Sequence, residues 1–348
     1  MADGSQRTVA VALVGLGNSG RHYHLPHIRN DPRFELRAVA TATGGPAETF
    51  GVPWHRGWEG LLEDPGIELV VIATPHHLHH GIAAPFLDRG VSVLVEKPLT
   101  VTTAEADDLL SRATASGAVL AVHHQRRWEE DFVALKELVD RGDIGVPWRV
   151  VASRGHQNQY VASTPDRPHA GDSVLEWTRS RRYGGGVMRV IGPHPVDHVL
   201  QLAATPPQYV SARVAHEGGE DVESWAGIEI DFGRALSGRV EVFRRQGPPV
   251  PRFAVWGDEG AAVATDGTRI LVRPHRGASF EVDRLTAPGV LGEQVYDDLF
   301  AAVRTGAPLR ATAAQGRAVV RLIETAEQSA DQQGAWVQVN DQKAPRPL

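Results

Sequence analysis

Val9-Ala10-Val11-Ala12-Leu13-Val14-Gly15-Leu16-Gly17-Asn18-Ser19-Gly20 is the stretch that decides how this chain folds. Its valine-rich apolar start has the composition of a strand buried on both faces. It runs directly into glycines at 15, 17 and 20, and a helix-patterned segment follows to Asn30. This is a G-x-G-x-x-G set between a strand and a helix. The glycines serve a tight turn, close approach of a pyrophosphate to the backbone, and packing of the helix on the strand. Gly15, Gly17, Asn18, Ser19 and Gly20 are therefore candidate phosphate-binding residues, and the helix N-terminus behind them favours an anion.

Reading onward, Glu35 to Thr41 makes a second strand. A dinucleotide fold usually carries an acid at the end of this strand for the adenosine ribose. Here the sequence reads Thr41-Ala42-Thr43-Gly44-Gly45, with no carboxylate before Glu48. Arg37 lies four residues back, roughly 13 Å along a strand, too far to clamp a 2'-phosphate. Threonine and glycine amides, Thr41 included, remain as acceptor sites for that phosphate, which leans the cofactor toward NADP over NAD. Glu68 to Ala73 is the next inner strand. Thr74-Pro75 closes it, and a helix from Leu78 to Arg89 carries His79.

Val91-Ser92-Val93-Leu94-Val95-Glu96-Lys97-Pro98-Leu99 follows. Pro98 ends the ladder and pushes Lys97 into an extended or turn conformation. The lysine is thereby held at the carboxyl end of an inner strand, where open α/β sheets bind their ligands. Lysines are rare, at 97, 136 and 343 only, so basic surface positions are otherwise written with arginine. Arginine stays charged, whereas a desolvated lysine works as an acid/base with a pKa lowered to about 7–8. The alternative is a solvated ammonium on a capped strand end. A helix from Thr103 to Ser116 and a strand from Ala118 to Val122 complete an alternation that predicts a parallel, doubly wound sheet.

Beyond His123-His124-Gln125-Arg126-Arg127-Trp128 a helix runs to about Arg141, and the pattern then changes. Strand-like runs dominate: Trp148 to Ser153, Tyr209 to Ala215, Ser224 to Phe232, Gly238 to Phe243, Arg252 to Gly257 and Arg269 to Val272. Such a series without intervening helices implies a large, mainly antiparallel open sheet in a separate α+β domain. Within it, Tyr183-Gly184-Gly185-Gly186 leads into a helix with Pro195 in its first turn. His194 then stands at the helix start, facing whatever the glycines leave open. A helix-capping role is the alternative. Asp197 reads as a first-turn acid, and His198 lies nearly one turn from His194. Two amphipathic helices, Gly292 to Thr305 and Ala313 to Ala330, precede a short strand Trp336 to Val339. The expected domains are 1–123, 124–340, and a loose tail 341–348.

The 348 residues suffice for two substantial cores, and a net charge of -6 without like-charge blocks argues against nucleic-acid or membrane partners. No cysteine occurs, which excludes disulfides and thiolate metal sites. The sixteen histidines fall partly in adjacent pairs, which seldom converge on one ion, so no metal is expected. A polar N-terminus and the lack of a long apolar run predict a cytoplasmic protein.

With these motifs placed, the chain resembles the Gfo/Idh/MocA oxidoreductases. The resemblance rests on Gly15 to Gly20, Thr74-Pro75 with His79, Glu96-Lys97-Pro98, and Gly184 to Gly186 with His194 and Asp197. His124 to Trp128 with Asp131-Phe132 further resembles the NADP-dependent scyllo-inositol dehydrogenase branch. The resemblance implies a Rossmann domain holding NAD or NADP and an α+β domain that pairs into homodimers or homotetramers. Lys97 and His194 would act on a small-molecule polyol, sugar or carbonyl substrate. It adds Thr41, Thr74, Pro75, His79, Glu96, Pro98 and Gln125 around the cofactor. Arg127, Trp128, Trp177 and His198 are substrate-side candidates, with packing the alternative for Trp177 and a solvated face for His198. Tyr160, His169, Arg179 and Arg182 are further pocket candidates that serve packing equally well. One departure is Val190, where polyol-oxidising members carry an aspartate. That gap also fits a ligand-sensing regulator that keeps the fold, or a glycoside hydrolase assisted by NAD.

Overall fold

The structure, a computed structural model, describes residues 7–42, 51–155, 177–244, 250–265, 267–283 and 292–339. By compactness the chain divides into two units. The first is Met1–Gln125 with Ala170–Trp177 and Val290–Arg317, and the second is Arg126–His169, Thr178–Gly289 and Ala318–Leu348.

The first unit is built on a six-stranded parallel sheet. Its strands are β1 (Val9–Val14), β2 (Phe34–Ala40), β3 (Trp54–His55), β4 (Leu69–Ile72), β5 (Ser92–Val95) and β6 (Leu120–Val122), in the spatial order β3-β2-β1-β4-β5-β6. This is the order of a dinucleotide-binding sheet, with its crevice where the winding reverses between β1 and β4. Every residue of β4 and β5 is buried, which explains their unbroken apolar runs. The connecting helices are α1 (Leu25–Asn30), which continues a π-helical turn over Gly20–His24, α2 (His79–Asp88) and α3 (Thr103–Ser116). A capping box starts α3, in which Thr102 and Glu105 each satisfy the other's backbone amide. Gly117 in the left-handed conformation ends it.

The second unit holds a nine-stranded sheet packed under helices α4 (Glu130–Asp140), α5 (Val187–Val190) and α6 (Pro193–Ala203). Its strands are β7 (Pro147–Gly155), β8 (Tyr209–His216), β9 (Glu223–Asp231), β10 (Ser237–Phe243), β11 (Phe253–Gly257), β12 (Gly260–Ala264), β13 (Ile270–Pro274), β14 (Phe280–Val282) and β15 (Val337–Gln338). The order is β14-β13-β12-β11-β7-β10-β9-β8-β15. Among the described residues of this sheet, β7 and β10 alone pair in parallel. The mixed α/β class and the mainly antiparallel second sheet match the sequence reading. β3, β12 and β14 escaped it: Gly260-Ala-Ala-Val-Ala264 has little β propensity and is a strand because β11 and β13 flank it.

The units also part from the expected boundaries 1–123 and 124–340. Helix α7 (Glu293–Thr305) groups with the first unit although it follows the second sheet in sequence. Its Tyr296 is buried against Phe34 and stacks on His27, and Arg304 pairs with Glu68 at 2.9 Å. The last helix, α8 (Ala313–Asp331), begins in the first unit and crosses into residues of the second. The expected tail 341–348 lies outside the described residues.

Candidate active site

The glycines after β1 serve different ends. Gly15 has φ +100, and a Cβ there would sit 2.4 Å from the Ala73 carbonyl oxygen. A Cβ on Gly20 would meet the Gly15 carbonyl oxygen at 2.0 Å. Both are fixed by the protein's own packing. Gly17 is exposed, and a Cβ there would meet nothing within 4 Å, so its place is open to a ligand. Asn18 is exposed and Ser19 half-buried beside it. At the end of β2, the Thr41 amide already donates to the His55 carbonyl at 3.1 Å, so it is not an acceptor site for a phosphate. Arg37 is paired with Asp64 at 2.6 Å, and Thr43 to Glu48 lie outside the described residues.

The β4 and β5 ends are tied together by a buried histidine. His79 is fully buried, with Nε2 3.0 Å from the Thr74 carbonyl and Nδ1 2.9 Å from the Pro98 carbonyl. Burial draws its pKa down against those two hydrogen bonds. Both partners are acceptors, so a neutral imidazole donates to one of the two carbonyls and lies against the other, and the buried ring stands as a strut between the two turns. The Lys97-Pro98 peptide is cis.

Glu96 likewise turns inward. Its Oε2 accepts the Lys97 amide at 3.0 Å, while Oε1 lies 3.1 Å from both His24 Nε2 and His123 Nδ1. Tyr296 Oη reaches His24 Nδ1 at 2.9 Å. With both histidines donating to the carboxylate, the tyrosine hydroxyl donates to His24 and the chain of bonds is consistent. Burial would raise the Glu96 carboxyl, but the charge of His123 and the hydrogen bonds from both histidines hold it well below the usual carboxylate range. Burial draws His24 down. His24, Glu96 and His123 also bring three metal-capable atoms within 4.8 Å of one another. Each of those atoms has a hydrogen-bond partner in this network. Sequence reasoning missed the trio because it comes from three separate elements; only the adjacent histidine pairs were visible.

Thr74 Oγ1 and Gln125 Oε1 are among the buried polar atoms of this unit that have no hydrogen-bond partner among the described residues. With the open Gly17 turn and the half-buried Thr74-Pro75, they fit a dinucleotide, which would supply the missing partners.

In the second unit Gly185 and Gly186 are filled from within. A Cβ on Gly185 would lie 2.5 Å from the Thr178 carbonyl oxygen, and one on Gly186 2.4 Å from Glu223 Oε1. What approaches them is the chain itself, which corrects the expectation of a space opened for a ligand. Glu223 accepts the Met188 amide at 2.8 Å, and burial pushes its carboxyl up.

Helix α6 begins at Pro193, so that His194 and Pro195 stand in its first turn as the sequence predicts, and it buries His194, Asp197 and His198. Asp197 accepts from Arg127 at 2.7 and 2.5 Å, more than a first-turn acid. His198 lies stacked on Phe132 with centroids 4.1 Å apart and edge-on to Phe253, its Nε2 donating to the Arg126 carbonyl at 3.0 Å. Burial lowers its pKa to about 3. Arg127 and His198 are thus engaged with Asp197 and the Arg126 carbonyl, which ties α6 to the turn after β6. Trp128 is half-buried. Trp177 belongs to the first unit, its ring edge-on to His76 at 4.5 Å. Arg179 pairs with Glu220 at 3.6 Å, and Arg182 covers the Tyr183 ring. Tyr160 and His169 lie outside the described residues.

A 3-2-1-4-5-6 sheet with an open glycine turn, a lysine at the end of β5, and a second α+β unit carrying a buried histidine define a dinucleotide-dependent oxidoreductase class. Comparison with known proteins agrees. Residues 9–124 match the oxidoreductase family with an NAD-binding Rossmann fold, and residues 132–263 match the GFO/IDH/MocA C-terminal domain. The chain belongs to the GFO/IDH/MocA family. It is 32% identical over 200 residues to the oxidoreductase YdgJ of Escherichia coli, covering 57% of this chain and 54% of YdgJ. It is 25% identical over 350 residues to scyllo-inositol 2-dehydrogenase (NADP(+)) IolW of Bacillus subtilis, covering 92% and 94%. The matched region thus spans about half of YdgJ and nearly all of IolW. Among solved structures, the oxidoreductase yvaA of Bacillus subtilis superposes with TM-score 0.80 at 22% identity, covering 95% of this chain and 98% of that one.

Proposed function

We propose that this chain is an NAD(P)-dependent dehydrogenase or reductase acting on a cyclic polyol, a sugar or a related carbonyl compound, with Lys97 and His194 as its acid/base groups. The observation that carries the reading is the mounting of Lys97. It stands at the carboxyl end of inner strand β5, with its amide held by the buried Glu96 carboxylate. The buried His79 ring sits between the adjoining Pro98 carbonyl and the Thr74 carbonyl of the turn after β4, at 2.9 and 3.0 Å. An invested position of this kind suits a group that must meet a reacting atom. The likeness to IolW, named a scyllo-inositol 2-dehydrogenase, supports the substrate class.

The bound nicotinamide would give or take the hydride. Gly17, Asn18, Ser19, Thr74, Pro75 and Gln125 would hold the cofactor, and Lys97 would move the proton on the substrate oxygen. Val190 packs against the apolar core and supplies no carboxylate to raise the basicity of His194. That favours Lys97 as the proton carrier and His194 as the group that orients the oxygen.

The chain acts on a small molecule, without nucleic-acid or membrane partners, as a cytoplasmic homodimer or homotetramer. The face of the nine-stranded sheet bearing Trp225, Glu229, Arg239 and Glu241 is offered for pairing. Light scattering checks the assembly. For the chemistry, NADH and NADPH are first compared by nicotinamide fluorescence, and a polyol and sugar panel is then run with whichever binds. Lys97→Met is expected to cut turnover at least about 100-fold while leaving cofactor binding in place. Near-wild-type turnover in that variant would remove Lys97 from the mechanism, and no turnover of any polyol, sugar or carbonyl partner would return the chain to a sensing role.

A further inference from the structure

Three donor atoms from three separate elements meet beside the Lys97 turn. His24 ends the π-helical turn that leads into α1, Glu96 follows β5, and His123 follows β6. All three side chains are buried, and all belong to the first unit. Glu96 Oε1 lies 3.1 Å from His24 Nε2 and 3.1 Å from His123 Nδ1, and the three atoms stand within 4.8 Å of one another. The two imidazole rings are themselves in contact, with centroids 4.4 Å apart.

We propose that His24 Nε2, Glu96 Oε1 and His123 Nδ1 form a buried site for one divalent transition-metal ion of the zinc class. Its role is to lock the ends of β5 and β6 to the start of α1, next to Lys97. The site takes no part in hydride transfer and stands whatever the substrate is.

Donor chemistry is the first support. Two imidazoles and one carboxylate are a set that zinc takes in proteins, with a water in the remaining position. Imidazole also suits neighbouring transition ions, whereas magnesium and calcium prefer oxygen ligands throughout. No adjacent pair of histidines has to share the ion, since the two rings come from different elements.

Spacing is the second. Bonds of about 2.0–2.2 Å from zinc to nitrogen and oxygen set neighbouring donor atoms roughly 3.0–3.4 Å apart. Both separations from Glu96 Oε1 fall in that interval. Hydrogen bonds have the same length, so the contacts made by the outer atoms decide between the two.

Those contacts are the third. A ligating histidine commonly has its second nitrogen fixed by a partner, and a ligating carboxylate is itself hydrogen-bonded. Tyr296 Oη holds His24 Nδ1 at 2.9 Å, and the Lys97 amide donates to Glu96 Oε2 at 3.0 Å. Both contacts leave the inward atoms, Nε2 and Oε1, for the ion. With an ion bound, His24 carries its proton on Nδ1 and donates it to the tyrosine oxygen. Without one, that proton sits on Nε2 and the tyrosine donates instead, so a single contact serves both states.

His123 is the fourth. Its Nε2 is buried and has no hydrogen-bond partner among the described residues, while Nδ1 faces the trio. An apolar ring in its place would strand no polar atom, so the imidazole is kept for what Nδ1 does. Glu96 Oε1 already has a donor in His24, and a shared ion gives the second imidazole on that oxygen a use. On binding, His123 frees Nδ1 and keeps a proton on Nε2.

The test reads metal on the full chain. Protein expressed in zinc-supplemented medium is passed through EDTA, which strips ions from exposed histidines, and its zinc is measured by plasma mass spectrometry. About one zinc per chain is expected in the wild type, and less than roughly a tenth of that in His123→Phe and in Glu96→Gln. His22→Ala, at an exposed histidine, should leave the content unchanged. Zinc should raise the thermal midpoint of metal-stripped wild type and leave that of His123→Phe where it was.

Cobalt supplies a readout that does not depend on how well a variant folds. Wild type refolded with Co²⁺ and passed through the same EDTA step should show the visible d–d bands of a four- or five-coordinate ion. Absence of those bands overturns the site. So does a wild type with less than about a tenth of an ion per chain after both expression and refolding in zinc, or zinc that His123→Phe and Glu96→Gln hold in full. The trio is then a hydrogen-bonded network and nothing more.

Discussion

The Asp197 carboxylate is gripped on both oxygens by the Arg127 guanidinium, at 2.7 and 2.5 Å, with both side chains buried. Asp197 stands one turn into α6, so this pair fixes the helix that carries His194 to the turn that follows β6. Breaking a buried pair from one side strands the other charge and costs roughly 3–5 kcal/mol. Arg127→Leu is expected to lose stability of that order in urea or guanidinium unfolding. Arg127→Lys should recover only part, because an ammonium cannot reproduce the two parallel bonds. Full stability in the leucine variant would show that the helix is held by its apolar face alone.

Gly15 and Gly17 stand two residues apart and should fail differently. A Cβ at Gly15, where φ is +100, collides with the Ala73 carbonyl oxygen, whereas one at Gly17 meets nothing of the protein. Gly15→Ala is expected to lower the thermal midpoint by several degrees. Gly17→Ala should keep the wild-type midpoint, to within about 2 °C, and weaken NADH or NADPH binding tenfold or more, since the pyrophosphate comes closest there. Equal cofactor affinity in Gly17→Ala and wild type would place the phosphates elsewhere.

Most of the fold was legible because its signals are local. Ser92 to Val95 is a strand at the residues where the apolar run predicts one. Thr103 to Ser116 is a helix between a capping box and a left-handed glycine. What stayed hidden depends on pairing across long sequence distances. Gly260 to Ala264 is a strand only by its neighbours, and α7 joins the first unit through Tyr296, whose partners lie more than 250 positions earlier.

The site shows the same division. Lys97 and the glycine turn could be located from spacing, but the direction in which side chains point could not. Glu96 and His79 read as cofactor contacts, yet both face inward and hold the turns. Gly185 and Gly186 read as room for a ligand and are occupied by Thr178 and Glu223. The meeting of His24 and His123 on Glu96 left no sequence signal, since its members are scattered from position 24 to 123.

Tyr296 offers a direct check on the network under Lys97. Its hydroxyl sits 2.9 Å from His24 Nδ1 in a fully buried setting. Tyr296→Phe keeps the ring and leaves that nitrogen without a partner, at an expected cost of about 1–3 kcal/mol. Chemical unfolding with an unchanged denaturant slope measures it. A loss below about 0.5 kcal/mol would mean that His24 does not use the hydroxyl.

His198 should leave a mark on acid stability. Burial lowers its pKa from 6.5 to about 3, so the folded chain keeps it neutral where the unfolded chain would protonate it. Its contribution is complete above pH 6.5 and is lost progressively as pH falls toward 3, at up to about 1.4 kcal/mol per pH unit and on the order of 4 kcal/mol in all. Glu96 and Glu129, held well below the usual carboxylate range, also lose stabilisation on acidification, at lower pH, while Asp131, raised to about 6, acts in the opposite sense between its unfolded pKa and 6. A difference between two proteins is therefore the clean measurement. His198→Gln keeps a donor for the Arg126 carbonyl but cannot take a proton. Its unfolding free energy should fall less steeply than wild type between pH 6 and 4, by close to one proton's worth of slope. Parallel pH dependences would show that the imidazole is solvated or already charged in the folded state.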